Sequence, residues 1–227
     1  MQLRLLADSV LDAAADAHTF GYAVRDTKAV DAAFASFFFC DWETLESRRV
    51  PEAVYMQLKF GGCAAAAAAW LAQPLRCKAA ILPDGGCAAL EPAGGMLHLF
   101  RPGGDHASSF TLCYADVAAH DLVAQEDSLW FTVPERGALA RFSLNQRELT
   151  LRAGGNGIFR LPRGITRNAD TLWVCCAGSN EAKAFSLTEL EVTETLELPA
   201  PPEKIFRVYS RMFALLADGR LHVTSNK

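Results

Sequence analysis

The sequence lacks a long apolar run and an excess of charge of either sign. Its strongest apolar stretch, Cys63 to Trp70, is far shorter than the roughly 20 residues that a membrane-spanning helix needs, so no membrane segment is expected. The formal net charge is −4 over 227 residues, and acidic and basic side chains are interleaved. Because no basic patch could neutralise a run of phosphates, nucleic acid is not an expected partner.

A regular cysteine framework is also missing. The seven cysteines are an odd number, scattered and mostly inside apolar segments, which is typical of reduced thiols in a core. Acidic residues near the N-terminus precede any long apolar region, so no secretory signal is expected. Together these features predict a cytoplasmic protein, with a processed exported protein as the alternative.

The chain lacks the short motifs of the common chemistries. It has no His-x-x-x-His or His-Glu-x-x-His spacing, no Gly-x-Ser-x-Gly and no dinucleotide fingerprint. The glycine-rich stretch 154 to 157 looks like a phosphate loop, but neither Gly-Lys-Ser/Thr nor a helix follows it, so a turn between structural units is expected. We predict no catalytic residue, no metal and no cofactor.

What the chain does contain is one spacing that occurs three times. Leu and a ring-bearing residue are followed after eleven residues by Phe, Ser or Thr, and Leu, in the segments 97–112, 129–144 and 172–187. Fixed spacing between diverged residues is typical of structural repeats. Trp130 and Trp173 lie in segments rich in aromatic and β-branched residues, so each is predicted on a second strand and the Phe on a third.

Further strands flank these pairs. Ala119–Ala124 and Arg163–Thr166 fit first strands, while Glu148–Arg152 and Glu191–Leu198 alternate as half-exposed outer strands do. Units of four short antiparallel strands are typical of β-propeller blades. The predicted fold is therefore all-β: a single β-propeller domain over residues 1–227, built from four-stranded antiparallel blades.

Blade number and ring closure follow from the same count. Third strands are expected near residues 38, 79, 110, 142, 185 and 223, which predicts six blades. Five is the alternative, with residues 53–90 absorbed as an irregular insertion. The C-terminal unit stops after its third strand, so we expect Gln2–Leu6 to supply the fourth and close the ring by pairing beside the C-terminal strands.

The N-terminal third is the least regular part of the predicted ring. Thr19–Val24 and Ala35–Cys40 are predicted as two strands of one blade, with Leu45–Val50 as its outer strand. Ala64–Ala69 is predicted as a strand although alanine is the best helix former, because so short a helix is marginal alone. If this run and the alanine-rich segment 12–17 were both helices, the N-terminal third would be a separate α/β element.

The segment 161–187 resembles the NHL and YncE-like group of β-propeller repeats. The resemblance rests on Pro162-Arg-Gly-Ile165, on Leu172-Trp-Val174 and on Phe185-Ser186. It covers segment 129–144 in part and the remainder only in spacing. The group usually has Ala-Asp after the valine, where this chain has Cys175-Cys176. The resemblance implies a propeller but no single activity, because such repeats serve scaffolds, receptors, lyases and lactonases.

Several polar residues are candidates for ligand binding. Asp105 and His106 lie in a glycine-rich turn, where sites are more common than on strands. Arg160 and Arg163 lead into a first strand, and His120 and Arg207 hold similar positions one unit earlier and later. First strands line the channel of a propeller, so such side chains can converge there. In contrast, Cys175-Cys176 point to opposite faces of a strand, and His98 takes the position of the two tryptophans, so packing is predicted for them.

The leading functional hypothesis is a non-enzymatic binding or scaffold protein that recognises a protein or peptide through one face of the ring. The alternative is a propeller enzyme of lactonase or lyase type, in which His120, Arg163 and Arg207 converge on a small anionic substrate. An enzyme should have a polar channel, whereas a scaffold should have a plugged channel and an exposed apolar patch. A monomer is expected, and a partial propeller completed by a second copy is the alternative.

Overall fold

The computed structural model describes residues 3–25, 35–155 and 157–224. In this part of the chain, five four-stranded antiparallel sheets form the blades of a β-propeller, and one two-stranded hairpin lies between two of them. The first strand, β1 (Leu3–Ala7), belongs to the last blade. Blade 1 consists of β2 (Val10–Ala15), β3 (Phe20–Arg25), β4 (Ala35–Cys40) and β5 (Ser47–Val50).

Two helices, one hairpin and the remaining blades follow in chain order. The helices are α1 (Glu52–Phe60) and α2 (Ala64–Trp70), joined by a 3-10 turn at Gly61–Cys63. Blade 2 consists of β6 (Lys78–Ile81), β7 (Cys87–Glu91), β8 (Met96–Phe100) and β9 (His106–Thr111). The hairpin is β10 (Cys113–Tyr114) and β11 (Val117–Ala118).

Blades 3 to 5 carry the clearest sequence repeats. Blade 3 consists of β12 (Leu122–Gln125), β13 (Ser128–Val133), β14 (Ala138–Ser143) and β15 (Glu148–Gly154), with a 3-10 turn at Pro134–Arg136. Blade 4 consists of β16 (Pro162–Asn168), β17 (Thr171–Cys176), β18 (Glu181–Ser186) and β19 (Val192–Glu197). Blade 5 contains β20 (Pro202–Val208), β21 (Arg211–Leu216) and β22 (Leu221–Thr224).

The N-terminal strand closes the ring, as the sequence predicted. β1 pairs antiparallel with β22, with Leu3 opposite Thr224 and Leu5 opposite His222. This pairing supplies the fourth strand of blade 5 and covers the edge that β22 would otherwise expose. Gln2, the first residue of the predicted closing segment, lies outside the described residues.

Five blades form the ring, so the preference for six was wrong and the alternative number is correct, although the insertion is shorter than 53–90 because β6 and β7 belong to blade 2. The error concerns blade 2, because the segments near residues 79 and 110 were counted as third strands of two different blades but belong to one sheet. β6, near residue 79, is a first strand rather than a third, and Phe110 lies on the outer strand β9. In blade 2 the hairpin from the third to the fourth strand pairs Leu97 with Phe110, the same span as the second-to-third hairpins of blades 3 and 4, so the repeated spacing could not distinguish the two.

The predicted position of His98 in the repeat was also wrong, for the same reason. It lies on β8, the third strand of blade 2, whereas Trp130 and Trp173 lie on the second strands β13 and β17. His98 is therefore not equivalent to the two tryptophans, whose predicted packing role is confirmed by their nearly complete burial. Cys175 and Cys176 are also fully buried in the core, as predicted.

The prediction of a strand at Ala64–Ala69 was also wrong, because this run forms most of α2. Tertiary packing supplies what an isolated short helix lacks. α1 packs against β2, β4 and β6, and its Tyr55 and Phe60 join Ala67 of α2 in a core shared with blades 1 and 2. The two helices therefore fill the space between these blades, where the sequence predicted a further blade. The alanine-rich segment near residue 12 remains a strand, β2.

Neighbouring blades are joined by apolar packing and by hydrogen bonds. Phe20 of blade 1 stacks on Phe213 of blade 5 with ring centroids 4.1 Å apart. The hydroxyl of Thr132 donates to the carbonyl of Arg163 on the next blade at 2.6 Å, and Thr166 donates to Ile205 at 2.7 Å. Each threonine thus fixes one first strand against its neighbour.

The burial of the cysteines predicts one reactive thiol. Cys113 is half-buried on the hairpin, whereas the other six cysteines are buried, and burial raises the pKa of Cys77, Cys87 and Cys176. Because the thiolate is the reactive form, we expect an aromatic disulfide reagent to label Cys113 first in the native protein and all seven thiols in urea. Peptide mapping measures this, and Cys113→Ser should remove the fast phase. A second thiol of equal rate would contradict the prediction.

Candidate functional site

The five first strands surround a central channel whose cavity measures about 520 Å³. Charged side chains enter it from the beginnings of these strands and from α1. Three ion pairs dominate the cluster: Lys59 with Asp12 at 2.5 Å, Lys78 with Glu203 at 2.9 Å, and Lys204 with Asp121 at 2.6 Å. The channel is thus polar, and these six charged side chains neutralise one another in pairs.

Asp121 is the most deeply buried member of the cluster, with no exposed surface. Its carboxylate accepts both the backbone N–H of Leu122 at 2.8 Å and that of Ile165 at 2.9 Å. Lys204 donates to both carboxylate oxygens, at 2.6 and 2.9 Å. One side chain therefore joins blade 3 to blades 4 and 5, and a buried carboxylate requires this number of partners.

The Asp12 side chain performs a similar role beside α1. It accepts hydrogen bonds from the Tyr55 hydroxyl at 2.9 Å and from Lys59, which also donates to the carbonyl of Leu75 at 2.9 Å. Burial lowers the pKa of Lys59 while Asp12 opposes that change, and burial beside the Asp12 carboxylate raises the pKa of Tyr55. The group thus connects α1 to β2 at the wall of the channel cavity.

Two of the predicted ligand residues reach this cluster. Arg163 lies 3.6 Å from Glu203, which already pairs with Lys78. Burial opposes the positive charge on Lys78, but Asp121 and Glu203 outweigh it and raise the pKa of this lysine. His120 lies beside the same charges, and burial lowers its pKa, so its imidazole is neutral at pH 7. The Nδ1 atom of His120 is buried and has no hydrogen-bond partner among the described residues.

Arg207 does not join His120 and Arg163. It lines the cavity and is exposed, but four residues separate it from Glu203 along β20, which corresponds to about 13 Å at the rise of a strand. The predicted convergence therefore brings together two of the three residues. Arg160 is exposed outside the cavity, beside the β17–β18 turn, where its carbonyl accepts the N–H of Gly178 at 3.0 Å.

Asp105 lies in the β8–β9 turn and His106 begins β9, so their turn joins the third and fourth strands of blade 2, and they belong to a different surface from the channel. Asp105 is exposed, and only its carbonyl makes a contact within the turn, with the N–H of Arg101 at 2.8 Å. The His106 ring stacks on Trp70 with centroids 4.1 Å apart and planes 17° apart. Its Nε2 atom lies 2.8 Å from the Ser109 hydroxyl, which also contacts Nδ1 of His98 at 2.8 Å.

Trp70 ends α2 and is the most exposed large apolar side chain of the described residues, at 58%. It adjoins an exposed strip of alanines on the same helix. We call this surface the insert face; it comprises Ala65, Ala68, Ala69, Trp70 and Ala72. From residue 53 to residue 75 the single charged side chain is Lys59, which is buried in its ion pair. The insert face is thus an uncharged apolar patch beside polar blade surfaces.

Sequence reasoning missed most of the channel cluster and the whole insert face. Asp12 interrupts an otherwise apolar segment, and Lys78, Asp121 and Lys204 each directly precede a short apolar run, all at or near the beginning of a first strand. That signal could have found them. Lys59 and Trp70 could not be placed while their segment was taken for a blade. A tryptophan within a long uncharged segment is the one local sign of the insert face.

The described residues contain neither a metal-ligand cluster nor a membrane-spanning helix. Within residues 3–25, 35–155 and 157–224, no group of three or more His, Cys, Asp or Glu side chains is placed to hold a metal ion. In the same described ranges, no helix is long and apolar enough to cross a membrane.

No known family description and no curated protein matches the sequence. Among solved structures, the WD40 β-propeller domain of Doa1 is similar with a TM-score of 0.54 at 9% identity, over 96% of this chain and 64% of that one. The structure of U3-55K is similar with a TM-score of 0.52 at 13% identity, over 97% of this chain and 63% of that one. The hydrazine synthase of Kuenenia stuttgartiensis is similar with a TM-score of 0.51 at 13% identity, over 61% of this chain and 41% of that one.

The chain thus spans less than two thirds of the length of each of these structures. Similarity at sequence identities this low shows a shared fold but not a shared functional site, because one fold supports many unrelated functions. The chain has the fold of a β-propeller, which the blade geometry and the structural neighbours show together.

Proposed function

We propose that this protein is a non-enzymatic binding module that holds a protein partner on the insert face. The observation that carries the proposal is the exposed Trp70 at the end of an uncharged alanine strip. A tryptophan exposed at 58% loses much apolar surface when a partner covers it, and such side chains dominate binding energy at interfaces.

The alanine strip indicates the kind of partner. Residues 65, 68 and 69 follow the spacing of one helical face of α2, and Ala72 extends the apolar surface just beyond the end of the helix. Alanine side chains allow a second helix to approach closely, and the absence of exposed charge matches an apolar surface on that helix. We therefore expect an amphipathic helix of a partner protein, bound through its apolar face.

The channel supports this choice over the enzyme of lactonase or lyase type. Each carboxylate of the three channel ion pairs accepts from a lysine. Two of these pairs join different blades, blade 2 to blade 5 and blade 5 to blade 3, and the third joins α1 to blade 1. Arg207 also lies about 13 Å along the β20 backbone from Glu203, the residue that Arg163 contacts. The channel enzyme stays a prediction, as do the NHL or YncE-like assignment, the single domain over residues 1–227, the monomer and the cytoplasmic location.

Peptide selection on the intact chain tests the proposal. Panning a phage-displayed library of helical peptides should select amphipathic sequences, whose affinity calorimetry then measures. Ala68→Arg should weaken their binding at least about tenfold, because it places a charge in an apolar interface. Trp70→Ala should have a comparable effect because it removes the anchor.

Leu190→Arg is the matched control. Leu190 is exposed at 50% in a turn of blade 4, away from the helices, so its replacement should leave the affinity unchanged. The proposal fails if panning selects no peptide, if the selected peptides bind the Ala68→Arg and Trp70→Ala variants as well as the parent, or if Leu190→Arg causes the same loss. Selection of extended strands, or self-association through this face, would contradict the helical partner.

A further inference from the structure

A second site is formed where the β10–β11 hairpin meets the end of blade 3. The hairpin departs from the regular connection between blades 2 and 3 and lies against the β14–β15 pair. Between them is a pocket of about 330 Å³, lined by Tyr114, Arg136, Arg152 and the backbone of Gly154 and Gly155. This pocket includes part of the glycine-rich stretch and none of the channel or insert-face residues.

Both arginines of this pocket are free of acidic partners. Arg136 donates to the carbonyl of Ala115 at 2.8 Å, and Arg152 donates to the Tyr114 hydroxyl at 2.8 Å. Within the part of the chain that the structure describes, neither forms an ion pair within 4.0 Å. A guanidinium has five N–H donors, so each arginine keeps most of its hydrogen-bonding capacity for a ligand.

The blade 3 side of the pocket is closely packed around Phe159. A Cβ on Gly154 would lie 2.6 Å from the Phe159 ring, and a Cβ on Gly137 would lie 2.7 Å from the Phe159 carbonyl. Across the pocket, Ala115 and Asp116 have φ of 49° and 63°. Left-handed conformations of non-glycine residues cost free energy and persist where surrounding contacts enforce them. Here they present the Ala115 carbonyl and the Tyr114 hydroxyl to the two arginines.

We propose that this pocket binds a phosphate monoester. Two guanidinium groups carry a charge of +2, which matches a phosphate monoester dianion better than a single carboxylate, and guanidinium geometry fits phosphate oxygens in bidentate fashion. The Tyr114 hydroxyl supplies a further donor. The ester is part either of a small molecule or of a phosphorylated protein side chain. Both present the same phosphate group to the two arginines and to Tyr114.

Calorimetric titration of the intact protein with phenyl phosphate and with a phosphotyrosine peptide tests the site. Both probes should bind, and binding should weaken as salt rises because the attraction is electrostatic. Arg136→Gln and Arg152→Gln should each weaken binding at least about tenfold, since each removes charge-assisted hydrogen bonds. A peptide affinity at least about tenfold above that of phenyl phosphate assigns the source to a phosphorylated protein, whereas equal affinities assign it to a small ester.

Arg147→Gln is the matched control, because Arg147 is an exposed arginine in the β14–β15 turn at the opposite end of the same blade. It should bind phenyl phosphate as the parent does, and melting curves show that each variant folds. Absence of binding by both probes overturns the proposal, as does an equal loss in Arg147→Gln or full affinity in both pocket variants. The site shares no residue with the insert face, so its failure leaves the proposed partner binding intact, and the reverse also holds.

Discussion

Asp121→Ala is expected to lower the free energy of unfolding by about 3–5 kcal/mol, the usual cost of removing one partner of a buried ion pair. The substitution leaves the Lys204 ammonium without its carboxylate and removes the acceptor for two backbone N–H groups, of Leu122 and Ile165. Because these partners lie on three different blades, the effect should be cooperative loss of the whole fold. Urea unfolding monitored by tryptophan fluorescence measures it.

Two further variants make this result interpretable. Glu194→Ala removes an exposed carboxylate from the outer strand β19 and should change the unfolding free energy by less than about 0.5 kcal/mol. Asp121→Leu combined with Lys204→Met should recover part of the loss, because no buried charge then remains without a partner. A change below about 1 kcal/mol in Asp121→Ala would show that the contact contributes little to the joining of the blades.

Gly164→Ala should destabilise the protein about as much as Asp121→Ala does. We expect it to lower the free energy of unfolding by about 3 kcal/mol or more. An added Cβ would lie 2.1 Å from the carbonyl oxygen of Glu203 and 3.1 Å from the Cα of Lys204. These are backbone atoms of the neighbouring first strand, so no side-chain rotation relieves the clash and β16 must move away from β20. The movement would also disturb the Thr166 hydrogen bond to Ile205. Thermal unfolding followed by circular dichroism measures the change.

Gly94→Ala is the matched control for this substitution. No atom lies within 4 Å of a Cβ at Gly94, and its φ is not in the left-handed region. Alanine there restricts the unfolded chain without strain, so stability should stay level or rise by about 0.4–1 kcal/mol. If Gly164→Ala and Gly94→Ala melt at the same temperature, the close approach of blades 4 and 5 does not limit stability.

The local pattern of blades 3 and 4 could be predicted because it follows from interactions within each blade. Alternation of polar and apolar residues, turn residues such as Asp127 and Asp170, and a tryptophan on each second strand depend only on neighbouring strands. Gly164 shows the limit of this pattern. It belongs to the segment that resembles NHL repeats, yet the carbonyl of Glu203 that requires a glycine there is visible only in the assembled ring.

The candidate site was predicted only in part, since its members lie far apart in the chain. His120 and Arg163 lie beside the charged channel residues Asp121 and Glu203, which were not chosen from the sequence, whereas Arg207 lies farther along β20. A first strand has two ends, and sequence periodicity does not show at which end of the channel a side chain lies. Burial and pairing distances decide that question.

By itself, the sequence determined a propeller of four-stranded antiparallel blades and its closure by the N-terminal strand, because those features follow from strand periodicity and from a missing fourth strand. Only the tertiary structure decided that there are five blades, that an alanine run is helical, and that Trp70 is exposed. A short helix takes its stability from the surfaces against which it packs. Those surfaces belong to blades 1 and 2 and exist only when the two blades pack around the helices.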